Sequence, residues 1–156
     1  MQPKKLLILL FSLLILATST AIPTLAANTT DYDITPIAIS GGGEVVYSVS
    51  RAKTDTSPIY LLIESSTYYT TRVKALGTSA ISATSANSYN CTCVASGTRV
   101  SYVSCNRGTD YSVHSYVKED GYNRATLSFM NPYTGTQVLS GEWSLDSWNT
   151  HVDATP

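Results

Sequence analysis

From Asn28 almost to Pro156, apolar and polar side chains alternate with a period of two rather than 3.6. Ile59, Leu61 and Ile63 share one side of a ribbon, with Tyr60, Leu62 and Glu64 on the other. Both sides are apolar at the centre, which predicts a strand in a sheet interior. Tyr111, Val113 and Val117 alternate with Ser112, His114, Tyr116 and Lys118. Ala125, Leu127 and Phe129 alternate with Arg124, Thr126 and Ser128; Leu139, Trp143 and Leu145 alternate with Ser140, Glu142 and Ser144. These runs predict half-buried antiparallel strands.

Turn chemistry falls between the runs. Gly41-Gly42-Gly43 separates an extended stretch, Tyr32 to Ile39, from a strand near Glu44 to Arg51, and Asp55-Thr56-Ser57-Pro58 forms a turn. Ser96-Gly97-Thr98, Glu119-Asp120-Gly121 and Asn131-Pro132-Tyr133-Thr134-Gly135 predict hairpins in which Gly supplies a positive φ. The spacing gives about eight short strands. The expected fold is therefore all-β, an antiparallel β-sandwich. Only Ser79 to Asn87 is ambiguous, reading as a loop, a weak strand or a short helical turn. The predicted core is Val46, Ile59, Leu61, Ile63, Val73, Val103, Val113, Val117, Leu127, Phe129, Leu139 and Trp143.

The N-terminus breaks this pattern. Lys4 and Lys5 precede an apolar run from Leu6 to Leu16, then small residues up to Thr24-Leu25-Ala26-Ala27. That order predicts a secretory signal peptide over 1–27, cleaved after Ala26 or Ala27. The run is short of the roughly 20 residues that span a bilayer, and neither a lipid-accepting cysteine nor an anchoring tail follows. The expected product is a single secreted, extracellular domain, 28–156, with no stable membrane anchor. Removing Lys4 and Lys5 from the 10 basic residues leaves 8 against 11 acidic ones, a net charge of −3. No basic field remains, so nucleic acid is not an expected partner.

Three cysteines occur, Cys91, Cys93 and Cys105. A hairpin around Ser96-Gly97-Thr98 would pair residues whose numbers sum to about 194–196. Cys91 with Cys105 fits that register best, and Cys93 with Cys105 fits after a bulge. The remaining thiol is expected either to be buried or to link two molecules, Cys93 in the first case. The spacing matches neither a structural zinc site nor a redox pair, so no metal or cofactor is expected.

No motif amounts to a named chemistry. His114 would need a nucleophile and an orienting acid, and no Ser stands in a Gly-x-Ser-x-Gly elbow. Glu142 with Asp146 mimics a carboxylate pair but suits an outward strand face and its turn equally well. Glu119-Asp120 belongs to a hairpin tip. Gly41-Gly42-Gly43 precedes a strand rather than a helix, which removes a phosphate loop. The least ordinary feature is aromatic, with 11 Tyr and 2 Trp in the chain. Tyr68, Tyr69, Tyr116 and Trp148 are the candidate ligand-binding residues, able to stack on a sugar or anchor a protein contact.

Three stretches carry a resemblance. Lys53-Thr54-Asp55-Thr56-Ser57-Pro58-Ile59-Tyr60, Arg72-Val73-Lys74 and Leu139-Ser140-Gly141-Glu142-Trp143-Ser144-Leu145-Asp146-Ser147 resemble segments of small exported β-rich proteins of Gram-positive bacteria. The resemblance implies secretion and a β-sandwich and carries no catalytic residue across. Some members of that group are similar to bacteriocin-like β-sandwiches, which would imply antagonism of neighbouring cells. The leading expectation is a secreted, non-enzymatic β-sandwich that binds an extracellular glycan or protein through exposed aromatics. A bacteriocin-like toxin comes second, and a hydrolase centred on His114 or Glu142/Asp146 third.

Overall fold

The computed structural model describes residues 30–145 and 151–156. The expected leader, Asp146 and Trp148 lie outside the described residues. The described chain holds eleven strands and no helix: β1 (Tyr32–Ile39), β2 (Glu44–Val46), β3 (Arg51–Ala52), β4 (Ile59–Ser66), β5 (Thr70–Thr78), β6 (Ser88–Asn90), β7 (Val103–Asn106), β8 (Asp110–Val113), β9 (Arg124–Met130), β10 (Gln137–Ser144) and β11 (Val152–Asp153). They form two sheets. One runs β1-β10-β4-β8-β11; the other runs β2-β9-β5-β6, with β3 also on β9 and β7 also on β5. All these pairings are antiparallel except β11 with β8. The all-β, sandwich-like architecture is as the alternation predicts.

The inner faces meet in a core of Ile59, Leu61, Ile63, Val73, Val103, Val113, Leu127, Phe129, Leu139 and Trp143, all buried. β4, apolar on both faces at its centre, lies inside its sheet between β10 and β8. Val46 departs from expectation: Val45 packs on the core, while Val46 faces outward. Three residues carry too little alternation to fix a facing, and the pairing of Val45 with core Phe129 sets it. Val117 is buried but lies beyond β8, in a turn closed by Asp120 N–H to Tyr116 O.

Two irregularities re-aim the ribbons. In β1, at the edge of its sheet, the register with β10 shifts between Ile34 and Ile37, where Pro36 has no N–H to offer a ladder. In β4, Ser65 pairs with Ser140 and Ile63 with Gly141, so Glu64 is extra. Glu64 and Ser65 both point outward, and Ser66 returns to the interior. That return positions a buried polar contact described below.

The ambiguous segment from 79 to 87 is a loop. It leaves β5, meets the stretch after β2 through Ala83 N–H to Ser48 O (2.8 Å) and Ser50 Oγ to Ala80 O (2.6 Å), and returns to β6. It thereby crosses the outer face of the second sheet. With neighbouring chain it shields the outward hydroxyls of β9: Thr126 donates to Tyr47 O and Val49 O, and Ser128 to Glu44.

Lys53 is 2 % exposed. Its ammonium donates to Leu145 O (2.7 Å), Asp55 Oδ1 (3.2 Å) and Ser57 Oγ (3.2 Å). Asp55 also accepts from Ser57 N–H (3.0 Å) and Ser57 Oγ (2.6 Å), closing an Asx-type turn around the charge. The first and last stretches that carried the resemblance thus touch each other in the fold.

Candidate functional site

Four loops gather at one end of the sandwich: β1–β2, β4–β5, β7–β8 and β9–β10. Backbone hydrogen bonds tie them together. Gly42 N–H donates to Tyr133 O (2.9 Å), Arg107 N–H to Tyr69 O (2.8 Å) and Thr67 N–H to Val138 O (3.0 Å). Asn131, buried, fixes the β9–β10 loop by donating to Gly135 O (2.6 Å) and Ile39 O (3.2 Å) while accepting from Tyr133 N–H (2.9 Å). The Tyr68 and Tyr133 rings pack at 4.4 Å between centroids. The Tyr68 hydroxyl reaches Gly135 where a Cβ would overlap it. Gly135 therefore serves close approach, and not the positive φ expected of it, which Gly97 and Gly121 do adopt.

Beneath this end lies a polar pin. Gln137 of β10 is fully buried, and its amide donates to Ser66 Oγ of β4 (2.9 Å) and Thr71 Oγ1 of β5 (2.7 Å). It joins the two sheets, and it can do so because the β4 bulge turned Ser66 inward. Arg107 donates to Ser66 O (2.7 Å) from outside. The loop tips stand on a rigid base, as a preformed contact surface requires.

Above the base, Tyr69 is 60 % exposed, Val138 45 % and Tyr133 37 %. Half of the six large apolar side chains exposed among the described residues are here; the others are Ile81, Tyr89 and Val152. The structure sets Tyr133, in the β9–β10 loop, and Val138, on the outward side of β10, at the same end as Tyr68 and Tyr69; alternation gives the facing of Val138 but not its neighbours, and it does not reach Tyr133 in its loop. Tyr116 sits apart. Its hydroxyl donates to Gly97 O (2.6 Å), and Arg99 lies over its ring at 4.6 Å.

Cys91 and Cys93 lie near Tyr116, Cys91 O accepting from Tyr116 N–H (2.8 Å) and Cys93 N–H donating to His114 O (3.0 Å), while Cys105 lies on β7. All three are free and buried, with no two at disulfide distance. The expected Cys91–Cys105 link fails on register. Cys93 pairs with Arg99, a sum of 192, because the turn closes from Val94 to Thr98. The chain then leaves the hairpin, and Cys105 pairs with Thr71 of β5 instead. Burial, then a hydrogen bond to Asp120, pushes the Cys91 thiol up to about 12; burial raises Cys93 and Cys105 as well. A link through Cys93 would require this hairpin to open. The native protein should therefore give no fast reaction with Ellman's reagent at pH ~8, near an ordinary thiol pKa, and release 3 equivalents once unfolded. Fast labelling of any thiol, or a dimer on a non-reducing gel, would contradict this packing.

The other candidates spread over the outer face of the five-stranded sheet. His114 Nε2 lies 2.8 Å from Asp153 Oδ1, supplying the acid a triad needs. Among the described residues no hydroxyl bonds the other ring nitrogen. Glu142 sits directly opposite Asp33 on β1. Partial burial, then repulsion from Glu64, Asp31, Asp33 and Asp110, raises its carboxyl above the usual range. The strands of this sheet carry Asp33, Glu64, Asp110, Glu142 and Asp153 and no Lys or Arg. The other sheet carries Arg51, Arg72, Lys74 and Arg124 against Glu44. The two sheets are thus of opposite charge.

A family model described as "Protein of unknown function (DUF2712)" matches residues 22–147. No curated protein and no solved structure matches the chain.

Proposed function

The chain belongs to this family of unknown function, and from its geometry we propose that it is a secreted, non-enzymatic β-sandwich that holds an extracellular protein at its aromatic end. Export is supported by the basic, apolar and small-residue order of the first 27 residues. The resemblance to exported proteins of Gram-positive bacteria points the same way.

The observation that carries the binding reading is the exposure, at the end pinned by Asn131 and Gln137, of Tyr69 and Tyr133 on loops and of Val138 at the start of β10. Exposing three apolar side chains together has a cost in water that a partner removes. Tyr and Arg dominate the energetic centres of protein contacts, and here Arg107 flanks the Tyr residues. A protein partner is favoured over a glycan because Tyr68 and Tyr133 pack on each other instead of leaving a free ring face to stack on a sugar.

The test is capture from the producing cells' surface and medium by wild type and by Tyr69→Ala/Tyr133→Ala. We expect one protein to be retained by wild type and lost at least tenfold in the variant, with unchanged circular dichroism. Truncating two such anchors typically costs more than ~1 kcal/mol each. Equal capture by both, or none by wild type, would overturn the assignment.

A further inference from the structure

On the outer face of the second sheet the crossing loop leaves a groove of about 590 Å³. The volume falls within the ~300–1,000 Å³ range of small-molecule sites. We propose that this groove binds a neutral, hydroxyl-rich ligand, a short saccharide.

Three features of the lining point to that class. The floor is aliphatic, from Val46 of β2 and Leu76 of β5, with buried Ala83 of the crossing loop above it. Such a surface takes the C–H face of a sugar ring; it offers no aromatic to stack a planar ligand. The only charges in the lining are Glu44 and Lys74, which pair at 2.7 Å. Their charges cancel, so the lining itself carries no unpaired charge to select an ion. Both retain hydrogen-bonding capacity. Lys74 spends one of its three N–H donors on Glu44, and each Glu44 oxygen has accepted one bond, from Ser128 and from Lys74.

The rim supplies the rest. Thr84, Ser85 and Ser88 edge the groove. Among the described residues the hydroxyls of Thr84 and Ser85 bond no protein group, and the Thr84 backbone is fixed by its N–H to Asn87 Oδ1 (2.7 Å). A preordered loop thus presents two unspent hydroxyls over an aliphatic floor, opposite an ion pair with spare donors and acceptors. Sugar hydroxyls both donate and accept, which suits this mixture; an apolar ligand would leave the polar groups unpaired.

The test uses the 15N-labelled protein titrated with cellobiose, maltose or N,N′-diacetylchitobiose. Binding by at least one sugar is expected, with Kd ~1 mM. Saturable shifts should fall on the amides of Glu44, Lys74, Thr84, Ser85 and Ser88. Ser85→Trp, on the exposed rim, should weaken binding at least tenfold while the remaining spectrum stays native. Lys74→Met should do the same by removing donors. Tyr69→Ala/Tyr133→Ala should bind as wild type, which separates this site from the aromatic end. No saturable shift with any of the three sugars overturns the proposal. So do shifts confined to residues 67–69 and 131–138, or binding unchanged in both groove variants.

Discussion

Leu127→Asp should yield no folded protein. Leu127 is fully buried on β9, the strand that pairs with β5, β2 and β3. The substitution forfeits roughly 1.5–3 kcal/mol of side-chain burial. It also places a carboxylate among Ala75, Phe129 and the facing sheet, where an unpaired charge costs several kcal/mol more. Domains of this size have only about 5–15 kcal/mol to lose. Circular dichroism and amide dispersion should both collapse. Ile81→Asp, at a side chain 77 % exposed, should change stability by no more than ~0.5 kcal/mol. A dispersed, native-like spectrum for Leu127→Asp would refute the inward facing of β9.

Lys53→Met should be the most damaging substitution outside the apolar core. It retains most of the side-chain volume and removes the ammonium that Leu145 O, Asp55 and Ser57 surround. Breaking a buried pair from one side costs about 3–5 kcal/mol, and the urea midpoint should fall accordingly. The pH dependence supplies a second readout. Burial alone would raise the Asp55 carboxyl, but hydrogen bonds from Ser57 and the Lys53 charge outweigh it and hold the group below the usual aspartate range. A depressed carboxyl contributes stability that is present above its unfolded pKa, about 4, and lost as pH falls through the lower folded value. Wild type should lose that contribution as pH falls below about 4, and Lys53→Met should lose less of it. An unchanged midpoint, with an unchanged acid limb, would show that the Lys53 charge does not support the fold.

The alternation that identified β4, β9 and β10 was legible because each is long and packs against a continuous partner. The facing of Leu61, Leu127 and Trp143 then follows from a single in-phase row. Shorter elements escaped the same logic. β2 was set by its neighbour, and Tyr111 to Lys118 kept its alternation after the strand had ended at Val113. The cysteine register failed because a hairpin was extended past the residue where the chain changes partner. The aromatic end was half legible: adjacent Tyr68 and Tyr69 announced themselves, whereas Tyr133 joins them only through loop closure and Val138 only through the pairing of β10 with the end of β4. Lys53 and Gln137 were invisible as buried groups, since what satisfies them lies on distant strands. A local pattern holds no information about a hydrogen-bond partner 92 residues away. The groove was hidden for a related reason, because its roof is the segment that periodicity left undecided.

The opposite charges of the two sheets also determine how the molecule meets a surface. Beside a negatively charged layer, such as anionic lipid headgroups, the carboxylate-bearing sheet is pushed away within roughly 8 Å at physiological salt. The molecule tumbles until its cationic side leads, which turns the mouth of the groove toward that layer. Encounter is thereby oriented before any specific contact forms, and the bias fades as ionic strength rises.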